Sequence, residues 1–452
     1  MNGIALSLRR PDLVVRVAAA LAGTGLLAAL AALLAVVLWR YPPPFPLALA
    51  GGLGILAILA LALARYEAAV TLGILLSGVA RWEPAPADAV LAVVIAVALA
   101  TGRFHLNRIP LEVMALIGLF FVLNVISASE ALDPTEAARF FSITLYLGIF
   151  GIWFTSYVRS RRQTRSVVRA YLVIAVVSAV LGSLAVLLHF PGYETFTSYK
   201  DRGRADALFK DPNVFGPFLI PIALIVIEEI LDPRLLRSSR VTKLGLVVLL
   251  SVGVLFSYSR AAWLNLTAGL VVMLVVFAFR RGGGRKAIVL LSLLIALTAV
   301  LTTTVAVTGS VHFLEKRARF QTYDTGRFGT QEAGVELAER HPLGIGPGQF
   351  EKIEPRSPHS TYVRALTEQG ILGFVAVLAL LLLTLGLAAR NAVRGRDTFG
   401  VGSAALLGAW CGILLNSAFV DTYHWRHLWL VGALIWAGAM RPGPAWEARV
   451  RS

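Results

Sequence analysis

Long apolar runs separated by short polar links repeat along the chain, and a helix needs roughly 20 apolar residues to cross the hydrocarbon of a bilayer. The runs predict helices near 13–39, 45–64, 67–81, 87–102, 109–128, 138–157, 167–190, 213–231, 242–257, 260–279, 287–308, 362–389, 399–416 and 427–440. The expected fold is therefore an all-α polytopic membrane protein with about 12–14 transmembrane helices and one long polar loop. The count stays a range because 67–81 and 87–102 are short enough to be tilted, re-entrant or a single broken span. This divides the chain into N-terminal helices (1–200), helices that carry Arg204 and Arg260 (201–308), a loop (309–361) and C-terminal helices (362–452).

Composition agrees: 57% of residues are hydrophobic and only 15% charged, which no soluble domain of this size would show. The one cysteine, Cys411, sits in an apolar run, so neither a disulfide framework nor a thiolate metal cluster is expected. Met1 to Asp12 is polar and basic and the following run is long enough to span, so a cleavable signal peptide is not expected.

The net charge of +16 changes the picture only through its placement. Basic residues gather in alternate links, as at Arg9, Arg10 and Arg16; Arg103 and Arg108; and Arg159, Arg161, Arg162, Arg165 and Arg169. Further clusters stand at Arg234, Arg237, Arg240 and Lys243; Arg280, Arg281, Arg285 and Lys286; Arg390, Arg394 and Arg396; and Arg441, Arg449 and Arg451. This is the positive-inside pattern, and it predicts cytoplasmic termini with the long loop facing outward. Nucleic acid is not expected as a partner, because the clusters lack interleaved aromatics and topology accounts for them. Glu130, Asp133 and Glu136 occupy an opposite link.

Three outward segments concentrate polar groups. His189 to Asn213 carries Lys200, Arg202, Arg204 and Lys210; Ser257 to Trp263 puts Ser259 and Arg260 between two apolar helices; and the long loop carries Arg327, a helix over 330–340 and the Gly/Pro-rich turn His341 to Phe350. The loop leaves through Ser357 to Gly373, with His359, Tyr362, Arg364 and Glu368. An arginine so close to hydrocarbon is costly unless paired, and guanidinium matches phosphate oxygens through charge-assisted hydrogen bonds. Arg204 and Arg260 suit a diphosphate on that reasoning, or they snorkel to headgroups or pair with Asp201, Asp206 or Asp211. His359 is either a hydrogen-bonding surface residue or a neutral imidazole able to take a proton from a hydroxyl.

Other polar residues have simpler readings. Glu228 and Glu229 are expected to pair with Arg234 or Arg237, and Glu112 and Asn124 to make contacts inside the bundle. His424, Arg426 and His427 fit either an interfacial belt or a phosphate or sugar contact. Neither a His/carboxylate metal set nor an outward DxD-like cluster stands out, so no cofactor is expected. Gly344 to Gly348 reads as turn chemistry, since no strand precedes it and no Lys-Ser/Thr follows.

Taken together, Arg204-x-x-x-x-Phe209-x-Asp211-Pro-Asn213, Ser259-Arg260-Ala-Ala-Trp263, Arg327 with His341 to Phe350, and His359-Ser-Thr-Tyr with Glu368-Gln-Gly-Ile-Leu-Gly373 resemble the O-antigen ligase/O-antigen polymerase superfamily. Asp421 to Trp429 is similar to that family's last outward turn, and the motif-bearing resemblance covers roughly 200–430. Ala207 stands where the family often has Gly, and Ser360 where Asn commonly follows His. The resemblance implies a metal-independent, inverting membrane glycosyltransferase of the GT-C type in an inner membrane. Its donor would be a polyprenyl (undecaprenyl) diphosphate-linked glycan and its acceptor a lipid- or glycan-linked hydroxyl. By position, Arg204 and Arg260 would hold the diphosphate and His359 would activate the acceptor, with Arg327, Tyr362, Arg364 and Glu368 in support. A ligase-like transfer is favoured over polymerisation. A lipid-linked oligosaccharide flippase or other transporter is the competing class, but the charged groups lie at one face and no internal repeat is seen.

Overall fold

The computed structural model describes residues 45–440 apart from 83, 200, 320 and 321. The expected span at 13–39, the basic groups at Arg9, Arg10, Arg16, Arg441, Arg449 and Arg451, and Lys200 lie outside the described residues. The chain is an all-α membrane protein, with seven helices long and apolar enough to cross a bilayer among the described residues.

The helices are α1 (Phe45–Ala64), α2 (Tyr66–Leu76), α3 (Pro86–Ala100), α4 (Leu111–Ser127), α5 (Pro134–Tyr157) and α6 (Arg161–Leu188). A short antiparallel hairpin, β1 (Thr197–Ser198) and β2 (Asp201–Ala205), separates these from α7 (Pro212–Leu231), α8 (Arg240–Phe256), α9 (Arg260–Phe279) and α10 (Gly284–Val307). The long loop folds into α11 (Val311–Ala318), α12 (Thr322–Arg340) and α13 (Phe350–Ile353). The chain closes with α14 (Thr361–Glu368), α15 (Gly370–Val393), α16 (Ser403–Asn416) and α17 (Arg426–Ala439).

Local chemistry sets the starts of several helices. Asp133 caps α5 by accepting the N–H groups of Thr135 and Glu136, Asp211 caps α7 through Asn213 N–H at 2.7 Å, and a proline follows each cap. Ser239 and Ser259 cap α8 and α9 in the same way. The apolar α7 is hydrophobic on every side and is accordingly the central helix, packed against α6, α8, α9, α10, α16 and α17. Pro217 and Pro221 lie within it, at a depth where neighbouring helices shield its backbone.

Side-chain contacts sort the connections onto two ends of the bundle. Arg165 reaches Leu235 O, Arg161 pairs with Asp397, and Lys286 and Arg234 share Asp232, so the basic links meet at one end. At the other end Arg81 meets Asp206, Lys352 meets Asp133, and Thr361 N–H donates to Ser417 O. Successive membrane helices therefore run alternately between a basic end and a loop end.

Four expectations need correction. The run at 362–389 is not one helix: it breaks at Gln369–Gly370, where Gly370 has φ +72°, into α14 and α15. The loop helix expected at 330–340 extends back to Thr322. The helix expected from 399 begins at Ser403, because Thr398 and Val401 pair around Gly400. Glu228 lies 3.8 Å from Arg234 as expected, whereas Glu229 pairs with Lys243 and takes the N–H groups of Arg234, Leu235 and Leu236. A buried carboxylate so supplied closes the α7–α8 turn.

Candidate functional site

The loop end gathers the polar segments around the junction of α8 and α9. Phe256 ends α8 and Arg260 is the first residue of α9, so only Ser257, Tyr258 and Ser259 lie between. Ser259 caps α9, which leaves Arg260 at the surface of the first turn, half-buried and donating to Arg319 O at 3.5 Å. Arg204 comes from β2, which rests on α6 at Gly182, where any side chain would meet Ala205 and Phe215. It is buried, donating from Nε to Ser257 O at 3.0 Å and from Nη2 to Asn213 Oδ1 at 3.1 Å. One guanidinium thus ties the hairpin, the start of α7 and the Arg260 junction together.

His359 lies between Pro358 and the cap of α14, Ser360, with φ +47°. It is half-buried, and burial, Arg327 and Arg364 hold its pKa below the ordinary 6.5, against the opposing pull of Asp211 and Glu351. The imidazole is therefore neutral near pH 7. Asp211 is the cap of α7, two residues before the Asn213 that binds Arg204. The α12 side chain of Gln331 donates to Pro358 O and Ala418 O, which fixes the backbone beside His359.

Ala207, Tyr258 and His359 are three of the five non-glycine residues with left-handed backbone among the described residues. Such conformations cost on the order of 1 kcal/mol or more and persist where surrounding structure enforces them. They mark each of the three segments that carry Arg204, Arg260 and His359.

The supporting candidates are engaged in architecture. Arg364, 3% exposed, is held by Glu351, Glu368 and Asp421 and also donates to Ser357 Oγ at 3.0 Å. Glu368 in turn accepts Gly348 N–H at 2.9 Å. Burial pushes the Glu368 carboxyl up to about 7 despite Arg364 beside it. Tyr362 donates to Leu414 O at 2.8 Å. Arg327, half-buried, contributes its charge to the surroundings of His359.

Sequence reasoning missed Arg81 and gave Asn213, named only as part of a motif, no role of its own. Arg81, between α2 and α3, donates to Thr195 O and Ala207 O and lies 3.7 Å from Asp206, locking the hairpin in place. Burial raises Asp206 to about 7, with Arg81 pulling the other way. The signal for Arg81 was a lone basic residue in a link on the outward side. Of the residues with open readings, Arg426 makes a two-point pair with Asp88, His424 contacts Thr144 Oγ1 at 3.1 Å, and His427 is buried against Phe218 and Trp425. Asn124 bonds back to Phe120 O within α4.

No curated protein matches the chain. The matched family segment runs from within α8 to the first turns of α15, with Arg260, Arg327 and His359, and begins after Arg204. Residues 245–378 match the family model described as O-Antigen ligase, and this match supports the resemblance to the O-antigen ligase/polymerase superfamily.

Proposed function

We propose that this protein is an inverting, metal-independent glycosyltransferase that moves a glycan from a polyprenyl diphosphate donor to an acceptor hydroxyl, in the manner of an O-antigen ligase. The observation that supports it most is the linkage of Arg204, through Asn213 and Ser257, to both the Arg260 junction and the segment of Asp211, whose charge acts on His359. A cationic clamp and a neutral base then share one end of the bundle. His359 accepts the proton of the acceptor hydroxyl, and the acceptor oxygen attacks the anomeric carbon from the side opposite the diphosphate. The bond from that carbon to the diphosphate oxygen breaks, and Arg204 and Arg260 stabilise the charge that the leaving group gains. On this reading the site faces outward from an inner membrane and both termini are cytoplasmic, and the clustering of basic residues in the links at the other end supports that orientation.

The test is reconstitution of the purified protein with an undecaprenyl diphosphate-linked glycan. A single transfer to lipid A-core supports the ligase-like reading, and a product ladder without added acceptor assigns polymerisation instead. Movement of the donor across sealed vesicles without transfer would replace the enzyme reading by a transporter.

A further inference from the structure

The helix α11 lies directly on the junction that presents Arg260, and Tyr258 is its anchor. Three groups at helical spacing face that tyrosine. Ser310 hydrogen-bonds its hydroxyl, Phe313 packs edge-on at 4.4 Å between ring centres, and Arg317 donates from Nη2 to Tyr258 O at 3.4 Å. Phe313 also covers Gly203, the residue before Arg204, where an added Cβ would stand 3.0 Å from the ring. The far end of α11 is held by Arg260 through Arg319 O. Val311, His312 and Glu315 point outward, so the helix has one committed face.

The consequence is that several cations are tied to one short junction. Arg204 and Arg317 are tethered to the carbonyl oxygens of consecutive residues, Ser257 and Tyr258, whose Cα atoms are about 3.8 Å apart. Arg260 follows two residues later. A diphosphate carries charge at two phosphorus centres, and two arginines can each take only part of it.

We infer that Arg317 is a third ligand of the donor diphosphate, carried by α11 as a strap over the Arg204–Arg260 edge. The inference rests on the donor reading above. When the donor is bound, Arg317 exchanges the Tyr258 carbonyl for oxygens of the second phosphate. Specificity for a diphosphate over a monophosphate then resides in this helix.

The test measures binding of undecaprenyl diphosphate and undecaprenyl phosphate to the full chain in nanodiscs. Wild type is expected to prefer the diphosphate, and Arg317→Ala to lose about tenfold in diphosphate affinity with little change for the monophosphate. Arg317→Gln keeps a donor for Tyr258 O but not the charge. It should lose the same preference, and it serves where the alanine variant folds poorly. An equal drop for both ligands makes Arg317 a prop for the loop and overturns the inference. Wild-type binding by both variants, with Arg204→Ala and Arg260→Ala impaired, overturns it while the donor reading stands. Unimpaired diphosphate binding by Arg204→Ala and Arg260→Ala removes the donor reading, and the inference with it.

Discussion

Arg204 donates from Nε to the carbonyl oxygen of Ser257 at 3.0 Å, three residues before Arg260. The two proposed diphosphate ligands are thus coupled through one backbone group, yet they differ in burial. Arg204→Ala should lower transfer by at least about 10²-fold. It should also cost about 1–3 kcal/mol of stability, because Ser257 O and Asn213 Oδ1 lose a donor. Arg260→Ala should cause a similar loss of transfer with a much smaller stability change. Parallel transfer assays and thermal melts in nanodiscs separate the two effects.

The proposed base role of His359 predicts a pH profile of definite sign. A neutral imidazole is the active form, so the rate falls as pH drops through its pKa, with a midpoint below 6.5. Arg327→Ala removes a cation and should move that midpoint upward. Asp211→Asn removes an anion but retains a capping side chain, and should move it downward. Movement in the same direction for both variants would show that another group controls the limb.

The spans were legible because apolar runs and their caps are local signals; Asp211-Pro212 and Ser259 mark helix starts without reference to the rest of the chain. The break at Gln369–Gly370 was not, since apolar sequence resumes at once and the cause lies elsewhere. The turn at 342–346 docks there: Ile345 N–H and Gly346 N–H take the carbonyls of Thr367 and Glu368, and Ile371 N–H donates to Pro342 O. Arg364 read as a site candidate because two of its partners, Glu351 and Asp421, come from segments that the sequence does not bring beside it, while only Glu368 is a neighbour on its own helix. The departure at Ala207 has a backbone reason: its φ of +50° is one that glycine adopts without cost.

Arg364 gives a prediction of a different kind. It lies between Glu351, Glu368 and Asp421, and its removal leaves the buried Glu368 without its cation, beside the more exposed Glu351 and Asp421. Arg364→Ala should destabilise by about 3–5 kcal/mol. Arg364→Lys should rescue little, since an ammonium cannot supply three directed contacts. Limited proteolysis within 341–358, compared with wild type, reads the loss of docking, and intact protection in both variants would refute this role of Arg364.

The docking of that turn also depends on two glycines that face each other. An added Cβ at Gly344 would stand 2.6 Å from Gly370 N, and one at Gly370 would stand 2.7 Å from Gly344 N, so no side chain fits on either. Both have positive φ, +90° and +72°, which adds a backbone cost to the clash. Gly370→Ala should therefore separate the turn from the helix break, lower the melting temperature and reduce transfer, because the backbone that carries His359 leads straight into α14. Gly386→Ala, on α15 with open space around it, is the matched control and should be neutral or slightly stabilising through helix propensity. Equal behaviour of the two variants in melting and transfer would mean that the turn is not what holds the break in place.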